Sequence, residues 1–302
     1  MLKIYQRSIT YRKTREVEEF QKGAWMHLES PNESELKTAA DTLKIELATL
    51  NDALDPYEAP RIEAENEGVY TFVRYPQNES TTPLLVVVAK EGILTITQGK
   101  SPVIERFISD EIDFYTTQKA RFVLLILSEI NRRYTSAMVG IRKEVNRSKT
   151  RPDKMSSKDI VRFVSYESTV SDYVDALIPQ QVVLNKILLG KVLDIPEDDE
   201  DLAEDLILST NQLIDSGRAA LRTMINIRST YTAISTERLN TIIRRLTALT
   251  VLLTIPTVIT SFYGMNVLLP GSEEPFAAYA ILAIIVGVVA ALFYLLTKNR
   301  WL

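Results

Sequence analysis

The sequence predicts an α+β domain joined to a long helical stalk that continues into a membrane, with two transmembrane helices in each chain. Three observations carry this. Short β-type runs fill the chain to about Arg106 and helical periodicity follows them; Gly217 is the one helix breaker between Glu197 and Ile255; and from Leu246 to Thr297 only Glu273 and Glu274 are charged, in a chain of 302 residues with 35 Lys plus Arg and 39 Asp plus Glu. The divisions expected are a cytoplasmic α/β domain over residues 1–112, a cytoplasmic helical region over 113–196, a stalk helix over 197–245, membrane spans over 246–263 and 276–297 around an outer loop at 264–275, and a basic tail at 298–302.

In the first division the runs LKIYQRS, AWMHLE, GVYTFVRY, LLVVVA and ILTITQ read as strands, separated by Pro31, Pro60, Pro76 and Pro83. Between the second and third, SPNESELKTAADTLKIEL offers Asn32 or Ser34 as the cap of a helix. Two helices then run from Asp113 to about Ser148 and from Ser157 to Lys191, and a third opens after Pro196. If unbroken from Glu197 to Ile255, the third spans about 85 to 90 Å. Along it Leu206, Leu213, Ala220, Ile227 and Ile234 recur every seven residues, with Leu202, Met224 and Tyr231 between. Such a seam needs partner helices, from the same chain or from other copies; periodicity does not choose.

Leu246 to Tyr263 covers roughly 27 Å as a helix and Phe276 to Leu296 roughly 31 Å, each close to the thickness of a bilayer's hydrocarbon. Arg238, Arg244 and Arg245 precede the first span, Lys298 and Arg300 follow the second, and the tether carries neither Lys nor Arg. The positive flanks place both termini in the cytoplasm. The N-terminal stretch lacks a signal-peptide core, so roughly 240 residues are expected on the cytoplasmic side. A net charge of -4 offers no basic face for nucleic acid. With His27 the sole imidazole, no cysteine and no phosphate-binding loop, no catalytic set is legible.

Thr247, Thr250, Thr254, Thr257 and Ser261 step by three and four along one face of the first span, and the ladder extended backward meets Ile243 and Asn240. Around an axis shared by several copies, each rung becomes a ring of hydroxyls able to bond the water shell of an ion. The alternative is that small hydroxylated residues let helices approach closely in lipid. At the outer end stands Tyr263-Gly264-Met265-Asn266. Gly264 can take backbone angles that end the helix and turn its carbonyl toward an axis, and Asn266 adds a side-chain oxygen. Neutral oxygens suit magnesium, which gives up its water reluctantly.

The Tyr263-Gly264-Met265-Asn266 motif, the two closing spans and the ending KNRWL resemble the CorA family of magnesium transporters. That resemblance implies a funnel-shaped homopentamer in the cell's inner (plasma) membrane, with one pore lined by the first span. Gly264, Met265 and Asn266 would select the ion. Asn240 would form a polar ring at the cytoplasmic mouth and Leu246 a hydrophobic constriction, with Ile243 and the hydroxyl ladder completing the lining. Asp205, in the acidic run EDDEDLAED with Asp201 and Glu204, would hold regulatory magnesium between subunits; otherwise these acids simply favour a helix start. The cargo implied is hydrated magnesium, with cobalt and nickel as further candidates, driven inward by the membrane potential and gated by internal magnesium. Two features depart from the family: Thr254 stands where a similar member is apolar, and VLLPGSEEP replaces the usual Met-Pro-Glu-Leu tether. The competing functions are a zinc or proton-coupled carrier of the same architecture and a membrane-tethered sensor that transports nothing.

Overall fold

The structure is a computed structural model that describes residues 1–8, 12–65, 68–149, 156–190, 192–267, 275–299 and 301. Seven strands, β1 (Leu2–Gln6), β2 (Arg15–Glu16), β3 (Trp25–Glu29), β4 (Arg61–Glu65), β5 (Gly68–Gln77), β6 (Ser80–Ala89) and β7 (Ile93–Thr97), form one sheet in the order β2-β1-β3-β7-β6-β5-β4. All neighbours are antiparallel except β3 and β7, so the sheet is mixed. The helices are α1 (Glu33–Leu43), α2 (Leu47–Asp52), α3 (Pro102–Ile108), α4 (Lys119–Lys149), α5 (Ser157–Leu188), α6 (Glu197–Tyr263) and α7 (Ala277–Lys298). The chain divides into two units, Met1–Ile227 and Arg228–Leu302.

The sheet is covered on both faces, which is why β6 and β7 read as nearly continuous apolar runs rather than alternating ones. Met26, Leu28, Phe72, Leu85, Leu94 and Ile96 pack with Leu36, Ala39, Ala40 and Leu43 of α1 on one side. Period two along β3 sends Trp25 and His27 to the other side. There Trp25 is surrounded by Tyr5, Phe107, Phe114 and Phe122 at centroid distances of 5.1 to 6.5 Å. Its indole N–H donates to Thr95 Oγ1 at 2.9 Å, and His27 Nδ1 lies 2.9 Å from the same oxygen.

Asn32 is the cap of α1: its side chain accepts from Glu35 N at 2.9 Å while Glu35 accepts from Asn32 N at 3.1 Å, a reciprocal capping box. The helical pattern seen from Ser34 to Leu47 is in fact two helices. Lys44 closes α1 in the left-handed region at φ 56°, and α2 starts anew. Likewise α4 begins at Lys119 rather than Asp113, because Phe114 is used to plug the Trp25 cluster. The helix α5 stops at Leu188, before Gly190, whose φ of 62° suits a helix end.

The heptad seam of α6 finds its partners within the chain as far as Ile227. Leu206, Leu213, Met224 and Ile227 are buried. On α4, Asn131 Nδ2 donates to Leu206 O at 3.3 Å and to Ser209 Oγ and Thr210 Oγ1 at 2.8 Å each. Gln181 of α5 hydrogen-bonds Asn211. Gly217 is a contact point rather than a breaker: a Cβ there would stand 2.5 Å from Val174 Cγ2 and 2.7 Å from Met138 Cε.

Candidate functional site

From Arg228 to Tyr263 the helix is unbroken, carrying Pro256 inside it. One continuous helix puts Thr247, Thr250, Thr254, Thr257 and Ser261 on a single face, and all five are exposed, as are Asn240, Ile243 and Leu246. Within residues 246–263 the half-buried line is Leu252, Ile255, Pro256 and Ile259, with Ala248 fully buried. At 100° per residue that line is centred roughly 160° from the hydroxyl ladder. The ladder therefore does not serve packing within the chain.

The hydroxyl protons of three rungs are committed. Thr250 donates to Leu246 O at 2.9 Å, Thr254 to Thr250 O at 2.8 Å and Thr257 to Leu253 O at 2.8 Å, each one turn back. A threonine that has donated its proton to the backbone presents only acceptor lone pairs outward. The water coat of a cation has its hydrogens pointing away from the metal, so these rungs match it in polarity. Thr260 makes a similar bond to Pro256 O at 3.0 Å but lies off the ladder.

At the C-terminal end of α6 Gly264 N–H donates to Thr260 O at 2.9 Å, extending the last helical turn by one residue. Gly264 does not enter the left-handed region expected of it; the described glycines with positive φ are Gly23 and Gly190. The last turn closes by an ordinary bond one turn back, so no reversal is needed. A Cβ on Gly264 would meet Thr260 O at 3.2 Å, a tight approach to a carbonyl. Met265 and Asn266 are exposed. Glu273, Glu274 and Arg300 lie outside the described residues.

The helix α7 is the second apolar helix long enough to cross a membrane, and the apolar windows of α6 and α7 are 6% and 0% buried, unlike the core helix of a soluble protein. The small residues Ala283, Gly287 and Ala291 of α7, whose size would allow close packing against another helix, are exposed, and a Cβ on Gly287 would meet nothing within 4 Å. The half-buried line of α7 is instead Ile281, Ile285, Val288, Val289, Leu292 and Leu296, large aliphatic residues at helical spacing that cover more area than the small ones would.

The acidic run at the start of α6 is not uniform. Asp199 is buried and accepts from Arg121 Nη1 of α4 at 2.6 Å, which the sequence did not signal. Asp201, Glu204 and Asp205 are exposed. Among the described residues no group of three or more His, Cys, Asp or Glu stands together as a metal cage within one chain.

A family model described as CorA-like Mg2+ transporter protein matches residues 20–298. The curated cobalt/magnesium transport protein CorA of Methanocaldococcus jannaschii is 25% identical over 294 residues, covering 92% of this chain and 91% of that one. The complete structure of the CorA magnesium transporter from the same organism superposes with a TM-score of 0.85 at 21% identity over 100% of this chain and 99% of that one. The full-length CmaX protein does so at 0.76 with 15% identity over 99% and 97%.

Proposed function

The chain belongs to the CorA family of Mg2+ transporters, and from that premise we propose that five copies surround one pore through which hydrated magnesium enters the cell. The observation that carries this is the face of α6 bearing Thr247, Thr250, Thr254, Thr257 and Ser261: exposed, turned away from the half-buried line of its own helix, and offering acceptor oxygens at three of its rungs. Asn240, Ile243 and Leu246 extend that face toward the cytoplasmic mouth, where Leu246 forms the constriction. Gly264, Met265 and Asn266 form the outer entrance, contacting the ion through its water. Both termini lie in the cytoplasm of the cell's plasma (inner) membrane, as the basic flanks of the two spans favour.

Transport needs no chemical fuel. A divalent ion crossing a potential of 100 mV gains about 4.6 kcal/mol, at about 2.3 kcal/mol per charge. Asp205, with Asp201 and Glu204, holds internal magnesium against a neighbouring copy and favours the closed pore. The exposure of these acids leaves them accessible to a neighbouring copy, which supports this reading.

Purified full-length protein in dye-loaded liposomes tests this reading. Magnesium entry that increases with an inside-negative potential supports it; zinc entry that follows a proton gradient would point to the carrier alternative, and no entry of either would leave a sensor. In the same liposomes Asp205→Ala is expected to weaken inhibition by internal magnesium, and unchanged inhibition would remove Asp205 from the account.

A further inference from the structure

A cavity of about 430 Å3 lies where the tip of the β5–β6 hairpin meets α4 and α5, lined by Gln77, Asn78, Arg132, Arg133, Ser136 and Tyr173 together with Pro76 and Ala137. Each of those six side chains has a donor to offer, and no carboxylate is among them. The hairpin turn is made by Asn78 and Glu79, both left-handed at φ 50° and 64°. Glu79 accepts from Ser165 Oγ of α5 at 3.2 Å.

The two arginines are fixed from beneath by one carboxylate. Glu129, 3% exposed, receives Arg106 Nη1 at 2.5 Å and Arg132 Nε at 2.6 Å on Oε2. On Oε1 it receives Arg132 Nη2 at 2.7 Å and stands 3.0 Å from Arg133 Nε. Glu129 thus accepts three hydrogen bonds, from Arg106 and Arg132, and stands as an ion-pair partner to Arg133. Burial works to raise its pKa, but the hydrogen bonds from Arg132 and Arg106 outweigh that and hold it below the ordinary glutamate value, so it remains an anion. Arg106 is shared with Glu111 at 2.8 Å. Three arginines against two glutamates leave one positive charge in excess. Arg133 Nη2 is further anchored on Pro102 O at 2.6 Å. These contacts leave Nη1 of Arg132 and of Arg133 uncommitted, on guanidinium groups whose positions are already set.

We propose that this cavity binds a phosphate-bearing small molecule, with its phosphate oxygens taken by Arg132 and Arg133 and oriented by Asn78 and Ser136. Two adjacent, pre-set guanidinium Nη1 donors with no carboxylate in the lining favour a polyvalent oxyanion, which has an oxygen for each, over a single carboxylate. The volume exceeds what one phosphate needs and accommodates an oligophosphate or a nucleotide. The site belongs to the Met1–Ile227 unit and does not depend on how the spans conduct ions.

Calorimetric titration of the full-length protein in detergent, in magnesium-free buffer at fixed ionic strength, tests it with inorganic phosphate, pyrophosphate and ATP as separate probes. Saturable binding of pyrophosphate or ATP is expected, weakened about tenfold or more in Arg132→Gln, the cost of losing a charged hydrogen-bond donor. Asn78→Gly is expected to weaken it too, and glycine accepts the left-handed φ, so that variant keeps the turn. ATP binding tighter than pyrophosphate identifies a nucleotide, and equal affinities identify the phosphate groups alone as what is read. Absence of saturable binding for all three probes, or binding that neither variant weakens while both melt like the parent, overturns the proposal.

Discussion

Between Glu197 and Ile227 one apolar face of α6, with Leu206, Leu213, Ile214, Met224 and Ile227, is buried, whereas from Arg228 to Tyr263 Ala248 is the one buried residue and Leu239, Ile242, Leu246 and Leu253 are each more than half exposed. Both stretches are one helix with comparable apolar content. The first has its partners in the same chain; the second carries a large unpaired apolar surface that must meet lipid or other copies. Helical periodicity reports that a face will be covered, not by what.

The sharpest way to test this division is to add bulk to each half. Gly217→Leu would drive a side chain into Val174 and Met138, where even a Cβ comes within 2.5 and 2.7 Å. A loss of about 3 kcal/mol in denaturant unfolding of the Met1–Ile227 unit is expected. Ser229→Leu, at an exposed position twelve residues on, should change that transition by less than about 0.5 kcal/mol. Equal effects would erase the distinction.

Acid provides a second test, since the buried titratable groups lie before Ile227. Burial pushes His27 down to about 4, with hydrogen bonding to Thr95 working the other way. Between pH 6.5 and 4 the unfolded chain binds a proton that the folded one does not, so stability falls as pH falls, and the contribution of neutral His27 is fully lost below about 4. The loss amounts to about 3 kcal/mol. A denaturation series across that window should show it, and His27→Gln should flatten the slope.

The smallest expected effect falls on the exposed half. Thr254→Val keeps shape but removes an outward acceptor, so liposomes should show magnesium entry reduced by roughly tenfold, the scale of one hydrogen bond to a charged group, with folding unchanged. Thr260→Val, which loses the same type of backbone bond off the ladder, should leave entry near the parent rate. If both variants conduct alike, the ladder is not the lining.

Much of the fold was legible because long, strongly patterned segments announce themselves. The run after Pro196 with Gly217 as its one breaker before Ile255, the two charge-free spans and the five apolar strand runs all appear as elements. The elements that escaped are short or polar. The two-residue β2 carries no pattern, and β4, an edge strand reading Arg61-Ile62-Glu63-Ala64-Glu65, puts its charges where a core strand would be apolar. The seven-residue α3 hid at the end of the β-rich stretch although Ser101 and Pro102 mark its start. Within the candidate site, Thr spacing gave the ladder, but the choice of Ile281, Ile285 and Leu292 over Ala283, Gly287 and Ala291 as the half-buried line of α7 depends on tertiary context.

By itself the amino-acid order settled where charge stops, which segments are apolar for a bilayer's thickness, and which face of the first span carries hydroxyls, since these follow from composition and from 3.6 residues per turn. It could not tell the buried Asp199, paired with Arg121, from the exposed Asp201 and Asp205 of the same run, nor show Gly217 as a crossing point, nor reveal that the ladder faces away from its own chain. Those distinctions depend on which atoms of distant segments come within a few ångströms, and only packing in three dimensions brings them there.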